Sequence, residues 1–96
     1  MSYKIRNGII LKNVCNEWLL IAIGESADHC EYVRHINDTF AWYWQQIESG
    51  LSSDEIVKKA IEYFDAPESI IKKDIKELIN QLYAMNYLLP QEETAV

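Results

Sequence analysis

Apolar residues follow two different patterns along this chain. In the first third, short apolar runs alternate with polar turns, which is typical of β-strands. From about Asn37 onward, apolar residues recur every three or four positions, which is typical of amphipathic helices. The pattern therefore predicts an α+β fold in which strands come first and helices follow.

Three segments of the first third are predicted strands. Residues 9–11 form a short apolar run after the Asn7-Gly8 turn signal, and residues 18–23 are apolar without alternation, as in a central strand covered on both faces. Residues 30–36 contain β-branched and aromatic residues together with charges, as exposed edge strands often do. Because Asn16 permits a tight reversal, we predict a three-stranded antiparallel meander.

The first predicted helix begins at Asn37 or Asp38, either of which can cap it, and ends at Gly50. Consecutive helical residues point in different directions, so Trp42 or Tyr43 should remain exposed or half-exposed. That ring could anchor a partner protein or lie over the sheet edge. The apolar face of this helix consists of Phe40, Trp44, Ile47 and Leu51.

Capping signals also predict the second and third helices. Ser52 and Glu55 form a capping box, and Pro67 marks the start of the third helix. Asn86, which tolerates positive φ, ends the third helix. The apolar stripe of the second helix is Ile56, Val57, Ala60, Ile61 and Phe64. That of the third is Ile71, Ile75, Leu78, Leu82 and Met85, widened by Ile79 and Tyr83.

The remaining C-terminal residues complete the predicted domain organisation. Residues 87–89 are expected to pack back on the helices, and residues 90–96 to form a frayed polar tail. Ninety-six residues are enough for one domain with one core. We therefore predict a single domain over residues 1–89, followed by the tail.

Composition and charge exclude several classes of function. Fifteen acidic and nine basic residues give a net charge of −6, which disfavours binding to phosphate backbones. No apolar stretch approaches the roughly twenty residues of a membrane helix, and the N-terminus lacks a secretory signal. The sequence predicts a cytoplasmic protein that binds neither nucleic acid nor membranes.

The sequence contains no pattern of catalytic or metal-binding residues. Cys15 and Cys30 lack the close spacing of a zinc or redox motif, and His29 and His35 do not complete a tetrahedral site with Cys30. Paired carboxylates, a nucleophile with its base and a Gly-rich phosphate loop are also missing. We predict two reduced cysteines, no metal, no cofactor and no enzymatic activity.

The order of caps and helix starts resembles the PqqD-like family, the precursor-peptide recognition elements of ribosomal-peptide modification pathways. Ile36-Asn37 is similar to the family's "LN" element at the end of the third strand. Trp44 matches its Trp seven residues after the Asn, and Gly50 its helix-ending Gly. The segment 52–56 resembles its "T/S-x-x-E-I" helix start. The resemblance covers residues 9–88.

The third helix adds further points of resemblance. Asp74 is similar to the family's acidic residue near the start of this helix, and Leu78 and Leu82 to its leucines. The closing "G-L/I" pattern is met only in part, because Asn86 stands in place of the glycine with Tyr87 between it and the leucine. Asn adopts the required conformation nearly as well as Gly, so this difference costs little.

The resemblance implies a winged helix-turn-helix-like domain, with a three-stranded antiparallel sheet followed by three helices, that performs no chemistry. Such domains bind the leader of a precursor peptide as an added strand, in the groove between the third strand and the third helix. They present it to a modifying enzyme, often a radical SAM maturase. The oligomeric state stays open and allows a homodimer. The residues expected to bind the leader are Cys30, Glu31, Tyr32, Val33, Arg34, His35, Ile36, Lys72, Lys73, Ile75, Lys76, Ile79 and Tyr83.

Lys72, Lys73 and Lys76 place a third of the basic residues within little more than one helical turn. They could form ordinary i,i+4 pairs, Lys72 with Glu68 and Lys73 with Glu77. They could also form a positive ridge that steers an acidic leader into the groove. The two interpretations are compatible, because a paired lysine can exchange partners.

Two other functions remain open from the sequence. A winged-helix DNA-binding regulator would need a basic recognition helix, and the third helix offers some polar and basic residues for this. The acidic net charge and the absence of any Arg beyond Arg34 argue against that alternative. An interaction module of an unrelated pathway is the other alternative. The residues available for DNA recognition are Lys72, Lys73, Lys76, Asn80 and Gln81.

Overall fold

The computed structural model describes residues 3–89, and these form a three-stranded antiparallel sheet, a small two-stranded sheet and three helices. The predicted α+β fold, with the larger sheet followed by the helices, is confirmed. The predicted tail, residues 90–96, lies outside the described residues. The elements are β1 (Lys4–Ile5), β2 (Ile9–Val14), β3 (Glu17–Ala22), β4 (Val33–Ile36), α1 (Asp38–Glu48), α2 (Ser53–Phe64), α3 (Glu68–Ala84) and β5 (Leu88–Leu89), with a 3-10 helix at Gly24–Asp28 between β3 and β4.

The larger sheet has the order β2-β3-β4, as the meander predicts. Cys15 and Asn16 both have positive φ, 53° and 66°, which suits a two-residue hairpin turn. This tight turn extends β2 to Val14, because it pairs polar residues that the apolar pattern alone leaves out. β3 is central, but only its face with Leu20 and Ala22 is buried, so the expectation that both faces are covered is wrong.

β4 is shorter than the predicted strand over residues 30–36. The backbone N–H of Cys30 donates to the Ser26 carbonyl at 3.0 Å, which holds Cys30 in the turn after the 3-10 helix. Pairing with β3 begins at Tyr32, whose carbonyl accepts from the Ala22 N–H at 2.9 Å. The first residues of the predicted strand therefore belong to a turn that local β-propensity does not reveal.

A second, two-stranded sheet joins β1 to β5, with Ile5 opposite Leu88. The Arg6 N–H extends this contact by donating to the Tyr87 carbonyl at 2.9 Å. Tyr87 and Leu88 are both buried, which confirms that the segment after α3 packs back on the domain. The strand pairing itself connects distant parts of the chain, and a local pattern does not predict it.

The predicted helix boundaries are largely confirmed by their caps. The Asn37 side chain accepts from the Phe40 N–H at 2.8 Å, and Ser52 and Glu55 form the complete capping box. Gly50 and Asn86 have φ of 85° and 68°, the left-handed conformation that ends a helix. Pro67 lies just outside α3 as its cap residue, where its missing N–H costs nothing.

The core lies where the sheet meets the three helices. Trp44, Leu20 and Leu82 are fully buried, and the Trp44 ring meets the Tyr87 ring edge-on at 5.8 Å. Phe40 is only half-buried, so the α1 stripe is deepest at Trp44 and Ile47. The buried line of α3 is Ile71, Ile75, Ile79 and Leu82, with Leu78 and Met85 at its margin.

Trp42 is the half-exposed ring of the predicted pair, and Tyr43 is buried. The Trp42 ring stacks on the exposed Tyr63 ring of α2 with centroids 4.7 Å apart. It therefore lies against a helix and does not cover the sheet edge.

Candidate functional site

β4 forms one edge of the larger sheet and has backbone groups free to pair. The Tyr32 carbonyl accepts from Ala22, and bonded positions alternate along an antiparallel ladder, so every second residue from Tyr32 bonds to β3. The N–H and C=O groups of Val33 and His35 consequently point away from β3. An exposed edge of this kind is a template for another strand.

Arg34 connects β4 to the segment after α3. Its Nε donates to the Tyr87 hydroxyl at 3.1 Å, and its guanidinium lies 5.9 Å from the centre of the Tyr87 ring. Glu31 is 3.5 Å from the same guanidinium. Burial is the main cause that raises the pKa of Tyr87, partly offset by Arg34. The Arg34 side chain therefore faces the helical layer. The side chain of Val33, the preceding residue of β4, is 42% exposed.

The two ends of β4 approach different parts of α3. At the start of β4, the Cys30 thiol donates to the Asn86 carbonyl, just beyond the C-terminal end of α3, at 3.3 Å. At the other end, Asn37 directly follows β4 and lines a cavity with Leu78 and Gln81 of α3. The two ends of β4 therefore approach α3 at its C-terminal end and near its middle.

The cavity at the C-terminal end of β4 has a volume of about 200 Å³ and lies between the start of α1 and the middle of α3. It combines apolar rings and methyl groups with two carboxylates. Tyr43 lines it and is 3% exposed; burial, and then the charge of Asp74, raises the pKa of its hydroxyl. We call this the α1–α3 cavity; its lining residues are Asn37, Thr39, Phe40, Tyr43, Asp74, Glu77, Leu78 and Gln81.

Most of the site residues predicted on α3 lie on its other flank. Lys72 and Lys76 border a second cavity of about 280 Å³, and Ile75 and Ile79 form its floor while belonging to the buried core. Tyr83 is half-buried, and burial followed by the charge of Tyr3 raises its pKa. We call this the α2–α3 cavity; its lining residues are Tyr3, Ser53, Asp54, Val57, Lys72, Ile75, Lys76, Ile79 and Asn80.

Of the two ion pairs predicted for the lysines of α3, the structure contains one. Lys72 Nζ lies 3.0 Å from Glu68 Oε2, and this hydrogen bond and charge raise the pKa of Lys72. The expected pair between Lys73 and Glu77 is wrong, since among residues 3–89 these side chains are not within 4.0 Å of each other. Lys73 is exposed and lines neither cavity.

The structure thus brings part of the predicted site together and separates the rest. Asn37, which directly follows β4, lies beside the flank of α3 that carries Leu78 and Gln81, while Lys72 and Lys76 lie on the opposite flank of the helix. Asp74 and Leu78 are two of the α3 residues that carry the family resemblance in the sequence, yet helical periodicity alone does not say which flank of α3 meets the strand. The lining residues absent from the predicted set are Asn37, Thr39, Phe40, Tyr43, Asp74, Glu77, Leu78 and Gln81.

The described part of the chain offers neither a metal site nor a membrane-spanning helix. Residues 3–89 contain no group of three or more His, Cys, Asp or Glu side chains placed to hold a metal ion. None of the helices formed by these residues is both long and apolar enough to span a membrane.

Comparison with known proteins gives one family and one related structure. The family model for PqqD, described as coenzyme PQQ synthesis protein D, matches residues 26–88. The structure of TbiB1 in complex with the TbiA(beta) leader peptide aligns with a TM-score of 0.76 and 14% identity, over 94% of this chain and 99% of that one. This likeness shows a shared fold. Sequence comparison with curated proteins gave no match.

Proposed function

The chain belongs to the PqqD family, and we propose that it is a non-catalytic recognition domain for the leader of a ribosomally synthesised precursor peptide. It binds the leader and presents the rest of the peptide to a modifying enzyme. The observation that carries this proposal is the free edge of β4 at Val33 and His35, which leads through Asn37 to the α1–α3 cavity. The structural relative was solved with a leader peptide, which supports the same use of the fold.

The proposed binding mode is strand addition along β4. Backbone groups of Val33 and His35 supply hydrogen bonds that do not depend on the leader's side chains. Alternate leader side chains then face the groove, where the α1–α3 cavity can receive one of them and so fix the register. Together these contacts are expected to give micromolar or tighter affinity, roughly −8 kcal/mol or better.

The wider set of leader contacts stays a prediction. Of the predicted residues before β4, Cys30 lies in the turn after the 3-10 helix, while Glu31 and Tyr32 are exposed just before the strand. The α3 residues Lys72, Lys73, Ile75, Lys76, Ile79 and Tyr83 would contact the leader only if it also crossed α3.

The proposed partner is a modifying enzyme, such as a radical SAM maturase, in the cytoplasm. The family description as a protein of coenzyme synthesis supports a role in a biosynthetic pathway. A domain that binds the leader along β4 leaves its α1–α2 side free for this enzyme. The half-exposed stack of Trp42 on Tyr63 lies on that side.

A DNA-binding function is disfavoured by the arrangement of α3. Lys72, Lys76 and Asn80 line the α2–α3 cavity, whereas Gln81 lines the α1–α3 cavity on the opposite flank. These residues therefore do not form one continuous reading surface, and the net charge of −6 repels a phosphate backbone.

Calorimetry and NMR would test the proposed function. The titrant is the leader segment of the short precursor peptide encoded beside this gene. Heat of binding is expected, with amide shifts concentrated in β4 and in α3 between Asp74 and Gln81. Absence of heat with every neighbouring leader would contradict leader recognition, and shifts that avoid both elements would contradict the binding mode.

A further inference from the structure

The α1–α3 cavity contains an unbalanced negative charge. Asp74 and Glu77 lie at i and i+3 on α3, where two like charges repel each other. Neither carboxylate forms an ion pair within 4.0 Å in the part of the chain that the structure describes. All other lining residues are neutral, so the cavity carries two negative charges and no compensating cation.

The basic residues of α3 do not supply that cation. Lys72 is bound to Glu68, and Lys72 and Lys76 both line the cavity on the opposite flank of the helix. Lys73 precedes Asp74 in sequence but lines neither cavity. The arrangement of charges therefore separates a positive flank of α3 from a negative flank, and the negative one borders β4.

Tyr43 adds a hydroxyl, which no residue of the described chain occupies, to the two carboxylates of this cavity. Its side chain is 3% exposed and lines the cavity, yet its hydroxyl makes no hydrogen bond to any of residues 3–89. The hydroxyl oxygen is open to the cavity, because Trp44 Nε1 is the one enclosed side-chain polar atom without a partner among residues 3–89. Water can therefore bond to the Tyr43 hydroxyl until a ligand donor that enters the cavity beside Asp74 replaces it.

We infer that the α1–α3 cavity receives one basic side chain, Lys or Arg, of the leader bound along β4. Its charged end would bind the carboxylates of Asp74 and Glu77 and donate to the Tyr43 hydroxyl. Its aliphatic stem would pack on Phe40 and Leu78. The volume of about 200 Å³ suits a single long side chain. This inference rests on the proposed function and adds the class of residue that sets leader specificity.

Selection from a phage-displayed library of random peptides tests this inference and does not require the sequence of the leader. The library is selected on the wild-type protein, on the double variant Asp74→Asn/Glu77→Gln and on the control Glu48→Gln/Glu62→Gln. The control makes the same change in net charge at exposed positions outside both cavities. Val33→Pro, compared with Val33→Ala, identifies the peptides that bind through β4.

The expected result is a Lys or Arg at one fixed position of the peptides selected on wild type and control, and its loss on the cavity variant. A selected Lys peptide should bind the cavity variant more weakly than the control, by a factor of roughly ten or more. Replacing that Lys with Gln should weaken binding to wild type but hardly change binding to the cavity variant.

Two results would overturn the inference, and they have different consequences. Peptides that bind through β4 but show no basic preference, or keep it on the cavity variant, would refute it and leave leader recognition intact. Failure to enrich any peptide would count against both. If the double variant does not fold, Glu77→Gln alone, compared with Glu48→Gln, makes the same test at an exposed position.

Discussion

Arg34 and Tyr87 are joined by a hydrogen bond of 3.1 Å from the guanidinium Nε to the phenol oxygen. The bond connects the edge strand β4 to the segment between α3 and β5. Tyr87 is buried against Trp44, so it anchors Arg34 to the core. The contact therefore ties the position of β4 to the core.

Replacing Tyr87 with Phe should show the contribution of that bond. The ring stays in place, but Arg34 Nε loses its acceptor, so the free energy of unfolding should fall by about 1 kcal/mol. Urea denaturation measures this change. Tyr83→Phe is the matched control, because the Tyr83 hydroxyl makes no hydrogen bond within residues 3–89. Equal losses in both variants would show that the Arg34 bond contributes nothing.

Proline substitution should distinguish the two kinds of position on β4. The Val33 N–H points away from β3, so Val33→Pro should abolish most leader binding and cost little folding stability. Val33→Ala, which keeps the N–H, should bind nearly as well as wild type. Arg34→Pro breaks a bond to β3 and should lower the free energy of unfolding by roughly 3 kcal/mol. Calorimetry and urea denaturation, used together, would refute strand addition if Val33→Pro bound the leader normally.

The lysines of α3 can be tested by changing Lys72, Lys73 and Lys76 together to Gln. Because Lys72 and Lys76 line the flank away from β4, we expect leader association to be unchanged or slightly faster, with little change in thermal stability. Stopped-flow kinetics at several salt concentrations measures this. Slower association that depends less on salt would instead support steering of an acidic leader by the lysines.

Alkaline pH should destabilise the protein through its buried tyrosines. Burial raises the pKa of both Tyr43 and Tyr87 in the folded state. Their contribution to stability is complete below the unfolded value of about 10 and is lost as pH rises through the folded pKa. Urea denaturation above that pH should show a falling free energy of unfolding. Tyr43→Phe should reduce the slope, while Tyr32→Phe, which alters a ring that is 66% exposed, should not.

The capping box of α2 should contribute to stability without affecting leader binding. The Ser52 side chain accepts from the Glu55 N–H, and the Glu55 carboxylate accepts from the Ser52 N–H at 2.8 Å. Ser52→Ala removes one of these bonds and should cost about 1 kcal/mol. Ser69→Ala, at an exposed position in the first turn of α3, is the control and should be nearly neutral. A loss of leader affinity in Ser52→Ala would contradict the separation of this cap from the site.

Local interactions account for what the sequence determined by itself. Asn37, Ser52 and Glu55 bond within one turn of their own helices, and Gly50 and Asn86 adopt positive φ through their own backbone preferences. Such features need no partner elsewhere in the chain, so their positions were predictable. The order of strands and helices followed from the same signals and from the change in apolar periodicity.

Tertiary structure decided which flank of α3 borders β4. Helical periodicity identifies the buried line through Ile75 and Ile79. It does not distinguish the two flanks of that line, one with Asp74 and one with Lys72. The choice depends on long-range contacts: the pairing of Ile5 with Leu88, and the bond from Arg34 to Tyr87. Tertiary structure also made β4 shorter than the predicted strand over residues 30–36, because the turn at Ser26 holds Cys30 away from β3. These contacts join residues far apart in the chain, so the charge of the groove emerges only when the chain is folded.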